Sequence, residues 1–467
     1  MSDVLWGLGG MAAVLAVAVL FSTNRRAIRW RTVLGALLIQ IVFAVVVLFW
    51  DAGQVALQAV SSGVQAVIDS SREGIEFVFG PVLPAEGLVF AFQVLPVIVF
   101  FAALTSVLYH LRILQQVVRV IGGGLARLLG TTRPESMNAA ANVFVGQTEA
   151  PLVIRPYLAT MTRSELFAVM VGGLTTVAGS VLVGYALLGA ELEYLIAASF
   201  MAAPAALMMA KIVIPADPAH APNVKATTSR SESGAEQTVD GADRAPGVDA
   251  VGGVSRRDDV RPVGGAAAGD ARRDTPVDDV PPPDEADDDP ADEGLGHRNV
   301  IDAAAQGASD GLRLALNVGA MLIAFISLIA LLNLVLGAVG GLFGAEDLTF
   351  ELLLGYVFAP VMFVVGVPWG EAIAAGSYLG QKVVLNEFVA FSDFGPVADT
   401  FSAKAQAVIT FALTGFANLG SLAILLGGLG SLAPNQRPEI ASLGLRAVLC
   451  GTLGNLMSAA IAGILIG

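Results

Sequence analysis

The chain has 467 residues, of which 55% are hydrophobic and only 14% are charged, and its mean hydropathy is +0.72. This composition excludes a soluble globular protein and indicates an integral membrane protein. The single cysteine, Cys450, excludes an intrachain disulfide, and most of the net charge of −14 lies in segment 215–298, which holds 19 acidic and nine basic residues. The Asp, Ser, Pro and Gly content of this segment predicts a disordered acidic loop.

The first region, residues 1–110, is predicted to contain three transmembrane helices and an outer amphipathic segment. Its first apolar run, 4–20, precedes four arginines, whereas a secretory signal peptide has its charge before the apolar run. Because short basic loops stay in the cytoplasm, the N-terminus is predicted to lie outside. The second and third spans cover 32–50 and 88–109, and the periodic apolar residues of 51–80 predict a helix on the outer surface.

The second region, 111–214, begins with an amphipathic segment whose spaced arginines predict a helix at the cytoplasmic interface. Gln147, Thr148 and Glu149 then lie within an otherwise apolar segment, 138–158. A carboxylate at the centre of a membrane helix costs about 2.5 to 3.5 kcal/mol, which makes such a residue a functional-site hypothesis. Two prolines follow at once and interrupt the helix, so the segment is predicted to be a re-entrant hairpin that enters from the cytoplasm.

Two full spans complete this region and lead into the acidic loop. The first covers 166–188, and Gly179 and Ser180 are predicted to weaken its helix in the middle of the membrane. The second covers 195–214 and returns the chain to the cytoplasm. The acidic loop, 215–298, is therefore predicted to be cytoplasmic.

The last region, 299–467, repeats this organisation. An interfacial amphipathic helix is predicted to lead into the span 315–336, and the proline-interrupted apolar segment 351–391 resembles a second re-entrant hairpin. A broken span, 404–427, and a closing span, 446–466, follow. The predicted fold class is an all-α polytopic membrane protein with eight transmembrane helices, two opposed re-entrant hairpins and interfacial amphipathic helices.

The two hairpins are predicted to belong to inverted repeats. Glu149 is followed about thirty residues later by Gly179, and Glu387 is followed at nearly the same distance by Gly420. Three full spans separate the hairpins, and because this number is odd, the second hairpin enters from the opposite face. Inverted repeats with broken helices are the architecture of secondary transporters that bind substrate near the membrane midplane.

The polar residues at these breaks suit an uncharged ligand that forms hydrogen bonds. Gln147 offers a donor and an acceptor, Thr148 offers a hydroxyl, and ionised glutamates accept hydrogen bonds. The convergent Arg or Lys residues expected for a phosphate or carboxylate ligand are missing from the pattern. Two other interpretations stay open: the polar residues hold helices together, or the paired glutamates act as acid and base of an intramembrane enzyme, although no metal-ligand set supports an enzyme.

Four segments carry a resemblance to a known family: GQTEAPLVIRPY from Gly146, TVAGSVLVGYA from Thr176, VVLNEFVAF from Val383 and GFANLGSLAILLGGLG from Gly415. In their order and separation, they resemble the concentrative nucleoside transporter family. The resemblance implies a homotrimer in the plasma membrane, in which each protomer has eight spans and two opposed hairpins.

The resemblance also implies which residues hold the nucleoside. The nucleobase would contact the first hairpin and the broken span after it, through Gln147, Thr148, Glu149 and Val181. The ribose would contact the second hairpin and the broken seventh span, through Glu387, Asn418, Ser421 and Phe416.

Sodium is the coupling ion that the resemblance implies. Its ligands would be backbone carbonyls and one side-chain hydroxyl, supplied by Asn142, Val145, Thr176 and Val177. Thr176 stands where the family commonly has serine, a departure that keeps the hydroxyl and adds a methyl group.

The predicted function is therefore a sodium symporter that imports nucleosides across the plasma membrane by alternating access, with no enzymatic activity and no cofactor other than the coupling ion. The alternative is a proton-coupled nucleoside symporter of the same family, in which Glu149 or Glu387 carries the proton. The expected partners are nucleosides, sodium, the lipid bilayer and the other protomers of a homotrimer, whereas nucleic acid is not expected.

Overall fold

The computed structural model describes residues 2–84, 89–216, 298–345 and 347–466. These residues are predominantly helical, and no β-strand occurs among them. The all-α fold class is confirmed. Most of the predicted acidic loop, 215–298, lies outside the described residues.

The described residues form seventeen α-helices, some of which are joined by short 3-10 or π-helical turns. In chain order the helices are α1 (Ser2–Leu20), α2 (Trp30–Ala44), α3 (Asp51–Phe79), α4 (Leu95–His110), α5 (Ile113–Leu129), α6 (Arg133–Ala141), α7 (Arg155–Leu158), α8 (Arg163–Thr175), α9 (Gly179–Leu187), α10 (Leu192–Val213), α11 (Val300–Gly341), α12 (Phe350–Val364), α13 (Trp369–Val384), α14 (Glu387–Phe394), α15 (Ala403–Leu413), α16 (Leu419–Leu432) and α17 (Arg437–Ile466).

Several of these helices are long and apolar enough to cross a membrane. Six such segments occur among the described residues: Trp30–Phe49, Phe90–His110, Arg163–Leu187, Leu192–Val213, Val300–Gly341 and Pro434–Ile466. The helices α12 and α13, which are bent by 117°, add a seventh if they are counted as one crossing. The predicted eight spans are these six segments together with α1 and the pair α15 and α16, while α12 and α13 belong to the predicted second hairpin; the number eight stays a prediction.

The centre of the bundle is formed by α8, α9, α10 and α17. In the apolar windows of the α8–α9 pair and of α10, 94% of the residues are buried, compared with 11% in α11. α17 packs against α8, α10 and α15. Its small residues permit this close approach, since a Cβ at Gly454 would lie 2.8 Å from the Thr175 side chain. The broken helix formed by α8 and α9 is therefore surrounded by protein.

The break in the fourth predicted span begins before the predicted glycine. α8 ends at Thr175 and α9 begins at Gly179, so Gly179 and Ser180 start the second half of the span and do not interrupt it. Glycine at this position instead permits a close backbone contact, because a Cβ at Gly179 would lie 3.2 Å from the carbonyl oxygen of Phe144. The break itself comprises Thr176–Ala178.

The predicted interfacial helix and the span 315–336 that it leads into belong to one continuous helix. α11 continues without interruption from Val300 to Gly341, and its 42 residues extend about 63 Å at about 1.5 Å per residue. This is about twice the thickness of a bilayer's hydrocarbon core. Gly307 and Gly311 do not break the helix, because α4 packs directly on them: Cβ atoms there would lie within 2.7 Å of Ala102.

The predicted second hairpin, 351–391, consists of three helices. Pro360 lies inside α12 without ending it, and the sharp bend comes after α12, where Gly366 has a φ of 120° that favours glycine. A second break, Leu385–Asn386, separates α13 from α14. The break that carries Glu387 is thus between α13 and α14, and α12 is an additional helix packed against α13.

The closing helix also begins earlier than predicted. α17 starts at Arg437 instead of residue 446. Pro438 lies in its first turn, where the missing backbone donor has no intrahelical partner to lose.

Candidate functional site

The first predicted cluster lies in a break between two helices. After α6, regular structure resumes only at the 3-10 turn Ala150–Ile154. Within the break, Glu149 Oε2 accepts a hydrogen bond from the Gly146 backbone N–H at 3.1 Å. The Gln147 side chain is buried, whereas Thr148 and Glu149 are exposed. The tip of the predicted hairpin is therefore closed by its own glutamate, and two of its polar side chains are exposed in this structure.

Two glycines allow α8 and α16 to approach this tip. A Cβ at Gly173 of α8 would lie 2.8 Å from the Cβ of Gln147, and one at Gly428 of α16 would lie 2.9 Å from the Cγ2 of Thr148. Side chains cannot approach this closely without a shift of the tip. The tip is thus held between the first half of one broken helix and the second half of the other.

The break between α8 and α9 is hydrogen-bonded to the first hairpin. The Gly179 N–H donates to the Phe144 carbonyl at 3.1 Å, and Thr176 Oγ1 donates to the Gly172 carbonyl at 2.9 Å. Val181, in the first turn of α9, is buried. The predicted sodium ligands come from these two connected breaks: Asn142, Val145, Thr176 and Val177.

Several oxygens around these breaks have no protein donor. The side-chain oxygens of Asn138, Asn142 and Gln147 are buried and accept no hydrogen bond from the described residues. Within the same part of the chain, no hydrogen bond reaches the backbone carbonyls of Asn142, Val145 or Val177. A buried oxygen without a partner costs free energy, and carbonyls of unwound helix are ligands for sodium in transporters. The oxygen set fits a small, hard cation.

The second predicted cluster joins the second hairpin to α16. Glu387 is the first residue of α14, and its Oε2 accepts a hydrogen bond from Asn418 Nδ2 at 2.8 Å. Asn418 Oδ1 accepts a hydrogen bond from the Ser421 backbone N–H at 2.6 Å. The side chains of all three residues are buried, and Phe416 is half-buried in the same break.

The two broken helices meet at their breaks. The Phe416 N–H, in the break between α15 and α16, donates to the Thr176 carbonyl at 3.2 Å. This bond places a predicted sodium residue beside a predicted ribose-contacting residue. Among the described residues, no hydrogen bond joins Gln147 or Glu149 directly to Glu387.

Two buried polar residues at this meeting point are missing from the predicted site. Asn455 of α17 donates to the carbonyls of Thr175 and Thr414, and Lys382 of α13 donates to Asn455 Oδ1. The signals in the sequence are one asparagine in the apolar run LCGTLGNLMSAA and one lysine in AAGSYLGQKVV. A polar residue inside a membrane helix is a functional-site hypothesis by default.

Comparisons with protein families cover most of the chain. Residues 9–82 match the N-terminal model of the Na+ dependent nucleoside transporters, and residues 274–463 match the C-terminal model. Residues 91–192 match a model described as nucleoside recognition.

Full-length relatives and solved structures agree with these matches. The chain is 51% identical to an uncharacterized transporter of Bacillus subtilis, over 99% of this chain and 100% of the relative. It is 42% identical to a nucleoside permease of Helicobacter pylori, over 99% and 98% of the two chains, and 34% identical to a rat sodium/nucleoside cotransporter, over 99% and 64%. The structure of CNTnw in an inward-facing, substrate-bound state matches with a TM-score of 0.81 at 44% identity, over 99% and 98% of the two chains.

Proposed function

This chain belongs to the concentrative nucleoside transporter family and is a multi-pass membrane transporter of nucleosides, and we propose that it imports them across the plasma membrane by sodium symport. The observation that carries the proposal is the hydrogen bond from the Phe416 N–H to the Thr176 carbonyl, because it brings the two broken helices together. Sodium coupling is supported by the description of the matched family and by the rat relative.

The first hairpin supplies groups for a nucleobase. The Gln147 amide can both donate and accept, and its buried oxygen has no protein partner among the described residues. Thr148 and Glu149 add a hydroxyl and a carboxylate that face open space, and Val181 adds a buried apolar surface. This set of groups matches the polar edge and apolar face of a base.

The second hairpin supplies groups for the ribose. Asn418 Nδ2 holds one oxygen of the Glu387 carboxylate at 2.8 Å, which orients the other oxygen to accept from a ribose hydroxyl. The Ser421 side chain lies in the next helical turn, and Phe416 provides an apolar wall. A carboxylate beside an amide is suited to a vicinal diol.

Sodium would be held by oxygens of the two connected breaks. The ligands in this proposal are the carbonyls of Asn142, Val145 and Val177 with the carbonyl and hydroxyl of Thr176. Oxygens of unwound helix satisfy a cation, and the cation in turn satisfies carbonyls that the bilayer cannot. The hydrogen bond from Gly179 to Phe144 keeps the two breaks together around this position.

The transport cycle in this proposal is alternating access. Sodium orders the break after α8 against the first hairpin, which completes the nucleoside site beside it. The hairpins and broken helices then move together relative to the remaining helices. Because binding free energies are linked, sodium and nucleoside must tighten each other's binding by the same factor.

The proposed function is tested by uptake of radiolabelled uridine and adenosine into proteoliposomes. An inward sodium gradient is expected to drive uptake of at least one of the two nucleosides. Glu149→Gln and Glu387→Gln should each reduce the efficiency of uptake by about tenfold or more, since a hydrogen bond to a charged group contributes about 1.5–3 kcal/mol. Glu76→Gln, on the exposed face of α3, is the matched control and should transport like the wild type.

An inward proton gradient is the second arm of the experiment. Uptake that responds only to protons would keep the nucleoside assignment and overturn the sodium site. Failure of both nucleosides to enter with either gradient, in correctly inserted protein, would contradict the proposal as a whole.

The proposal includes a homotrimer with its N-termini outside and the acidic loop in the cytoplasm. α11 supports contacts beyond the chain, because most of its apolar surface is not covered by the protomer. The mass of the detergent-solubilised protein, corrected for bound detergent by light scattering, should equal three chains. A mass of one or two chains would contradict this assembly.

A further inference from the structure

A buried polar cluster joins the ends of the two broken helices. Asn455 of α17 is 2% exposed, and its Nδ2 donates to two carbonyls, that of Thr175 at 2.8 Å and that of Thr414 at 2.7 Å. Thr175 is the last residue of α8, and Thr414 directly follows α15. The last carbonyls of a helix lack intrahelical partners. One amide therefore satisfies both helix ends and fixes their separation.

A buried ammonium group completes the cluster. Lys382 of α13 is 0% exposed, and its Nζ donates to Asn455 Oδ1 at 2.8 Å and to the Ala412 carbonyl at 2.9 Å. Its amino group lies at the C-terminal end of α15, where the helix dipole favours a cationic side chain. The packing beside the cluster is close, because a Cβ at Gly415 would lie 2.7 Å from the carbonyl oxygen of Thr175.

Each end of this cluster leads to one of the two proposed ligand sites. On one side, Thr175 directly precedes Thr176, the proposed sodium ligand. On the other side, Thr414 begins the break that carries Asn418, and Asn418 Nδ2 donates to the Glu387 carboxylate. Glu387 is the proposed ribose-binding residue. The hydrogen bonds of Asn455 therefore connect the break beside the proposed sodium site to the break beside the proposed ribose site.

We propose that Asn455 and Lys382 are positioning residues that couple the sodium site to the nucleoside site. The inference rests on the proposed sodium symport. When sodium orders the break after α8, the position of the Thr175 carbonyl is set, and Asn455 transmits that position to α15 and to Lys382. Lys382 holds the Asn455 amide in this orientation, and the break after α15 carries Asn418, which holds Glu387 where it accepts a ribose hydroxyl. Neither positioning residue contacts sodium or nucleoside in this scheme.

The cluster can transmit a shift because its polar groups are buried. A buried donor or acceptor that loses its partner has no water to replace it. Separating these groups therefore costs free energy, so they are expected to move together. A merely structural role predicts lower thermal stability with an unchanged response to sodium. A coupling role predicts that the response of nucleoside binding to sodium is lost.

The test is equilibrium binding of radiolabelled uridine and adenosine to the full-length protein in lipid nanodiscs. The dissociation constant of each nucleoside is measured in sodium buffer and in buffer where choline replaces sodium. The wild-type ratio of the two constants is expected to lie in the range of about 5- to 150-fold that is typical of coupled sites. In Asn455→Ala and Lys382→Met the ratio should fall to about twofold or less, while the affinity in choline stays near that of the wild type.

Ser458→Ala is the matched control. Ser458 lies one turn further along α17, is 3% exposed and donates to Gly454 and Gln40, so it contacts neither break. This variant should retain the wild-type ratio. An unchanged ratio in Asn455→Ala and Lys382→Met, or an equal loss in Ser458→Ala, would overturn the inference.

Two further variants cover the case in which the first pair does not fold. Asn455→Asp keeps an acceptor for Lys382 and removes both donated hydrogen bonds, and Lys382→Gln removes the charge; each must also lower the ratio. The wild-type measurement distinguishes a failure of the proposed sodium symport from a failure of the coupling role of Asn455 and Lys382. A wild-type ratio of one for both nucleosides contradicts sodium symport and the inference together. If the wild type and the variants all bind nucleoside more tightly in sodium, to the same extent, the inference alone is contradicted.

Discussion

Side chains at the breaks replace hydrogen bonds that the ends of the helices lack. Asn386 accepts a hydrogen bond from the Val389 N–H at 2.9 Å, and Asn418 accepts one from the Ser421 N–H at 2.6 Å, so each asparagine caps the helix that follows it. Asn418 also holds Glu387 with its other end. A single residue thus starts a helix and orients the proposed ribose-binding carboxylate.

Two adjacent threonines give a sharp test of the proposed sodium site. In both, the hydroxyl donates to the carbonyl four residues earlier, but Thr176 belongs to the break whereas Thr175 packs against Gly454 of α17. Thr176→Val should raise the sodium concentration for half-maximal uridine uptake by about fivefold or more, because it removes one oxygen ligand. The sodium dependence of uptake is the measurement.

Thr175→Val is the control for this prediction. It removes a hydroxyl of the same type and keeps the backbone carbonyl that Asn455 contacts. Equal shifts in the two variants would indicate a general packing effect and remove the support for Thr176 as a ligand.

At the scale of whole elements, glycine positions determine how closely the helices approach the first hairpin. Gly427 and Gly428 are neighbours on α16, yet a Cβ would meet nothing within 4 Å at Gly427, and at Gly428 it would lie 2.9 Å from Thr148. The two faces of α16 therefore differ in their tolerance of a residue larger than glycine. Only the face toward the hairpin requires glycine.

Gly428→Ala should displace the hairpin tip and raise the KM for uridine uptake severalfold. Gly427→Ala should leave uptake unchanged and stabilise α16 slightly, since alanine is favoured over glycine by up to about 1 kcal/mol in a helix. Initial uptake rates over a range of uridine concentrations test both variants. Similar KM values in the two variants would show that the contact with Thr148 does not position the tip.

A buried ion pair ties three elements together at the other end of the first hairpin. Lys211 of α10 pairs with Glu135 of α6 at 2.5 Å and donates to Ser164 Oγ of α8 at 3.1 Å. Lys211→Met leaves a buried carboxylate unpaired, which should lower stability by about 3–5 kcal/mol. Thermal unfolding in detergent should show a clear drop in Tm.

The double variant Lys211→Met with Glu135→Gln should recover much of this loss. The glutamine is neutral and keeps an acceptor for the Thr132 N–H, which Glu135 caps in the native protein. A double variant no more stable than Lys211→Met would show that packing around Lys211, and not the unpaired charge, carries the effect.

At the scale of the whole molecule, the central position of α17 links the two broken helices. It packs against α8 of the first broken helix and α15 of the second, and its small residues bring the breaks within reach of Asn455. The breaks are therefore supported from one central helix. Ligands that bind at these breaks should stabilise the fold as a unit.

Uridine or adenosine should stabilise the wild-type protein more in sodium buffer than in choline buffer. A ligand at about 100 times its dissociation constant adds about 2.7 kcal/mol to the stability of the folded state. The rise in Tm with nucleoside, measured in both buffers, tests this linkage. An equal rise in both buffers would argue against sodium-linked binding.

The sequence alone was sufficient for the fold class, the family and the segments in which the polar breaks occur. Glu149 and Glu387 stand out because a carboxylate is costly at membrane depth, and this cost does not depend on knowing its neighbours. The predicted site residues all lie in a break or in the turn beside it. Their ligand contacts stay predictions.

Only the tertiary structure decided where helices begin and end and which isolated polar residues meet. Pro360 does not end α12, and α11 continues through its glycines, because packing against α13 and α4 supports these helices from outside their own sequence. Lys382 and Asn455 are separated by 73 residues and share no pattern in the sequence. Their partnership arises from the packing of α13 and α17 around α15, which hydropathy and spacing along the chain do not encode.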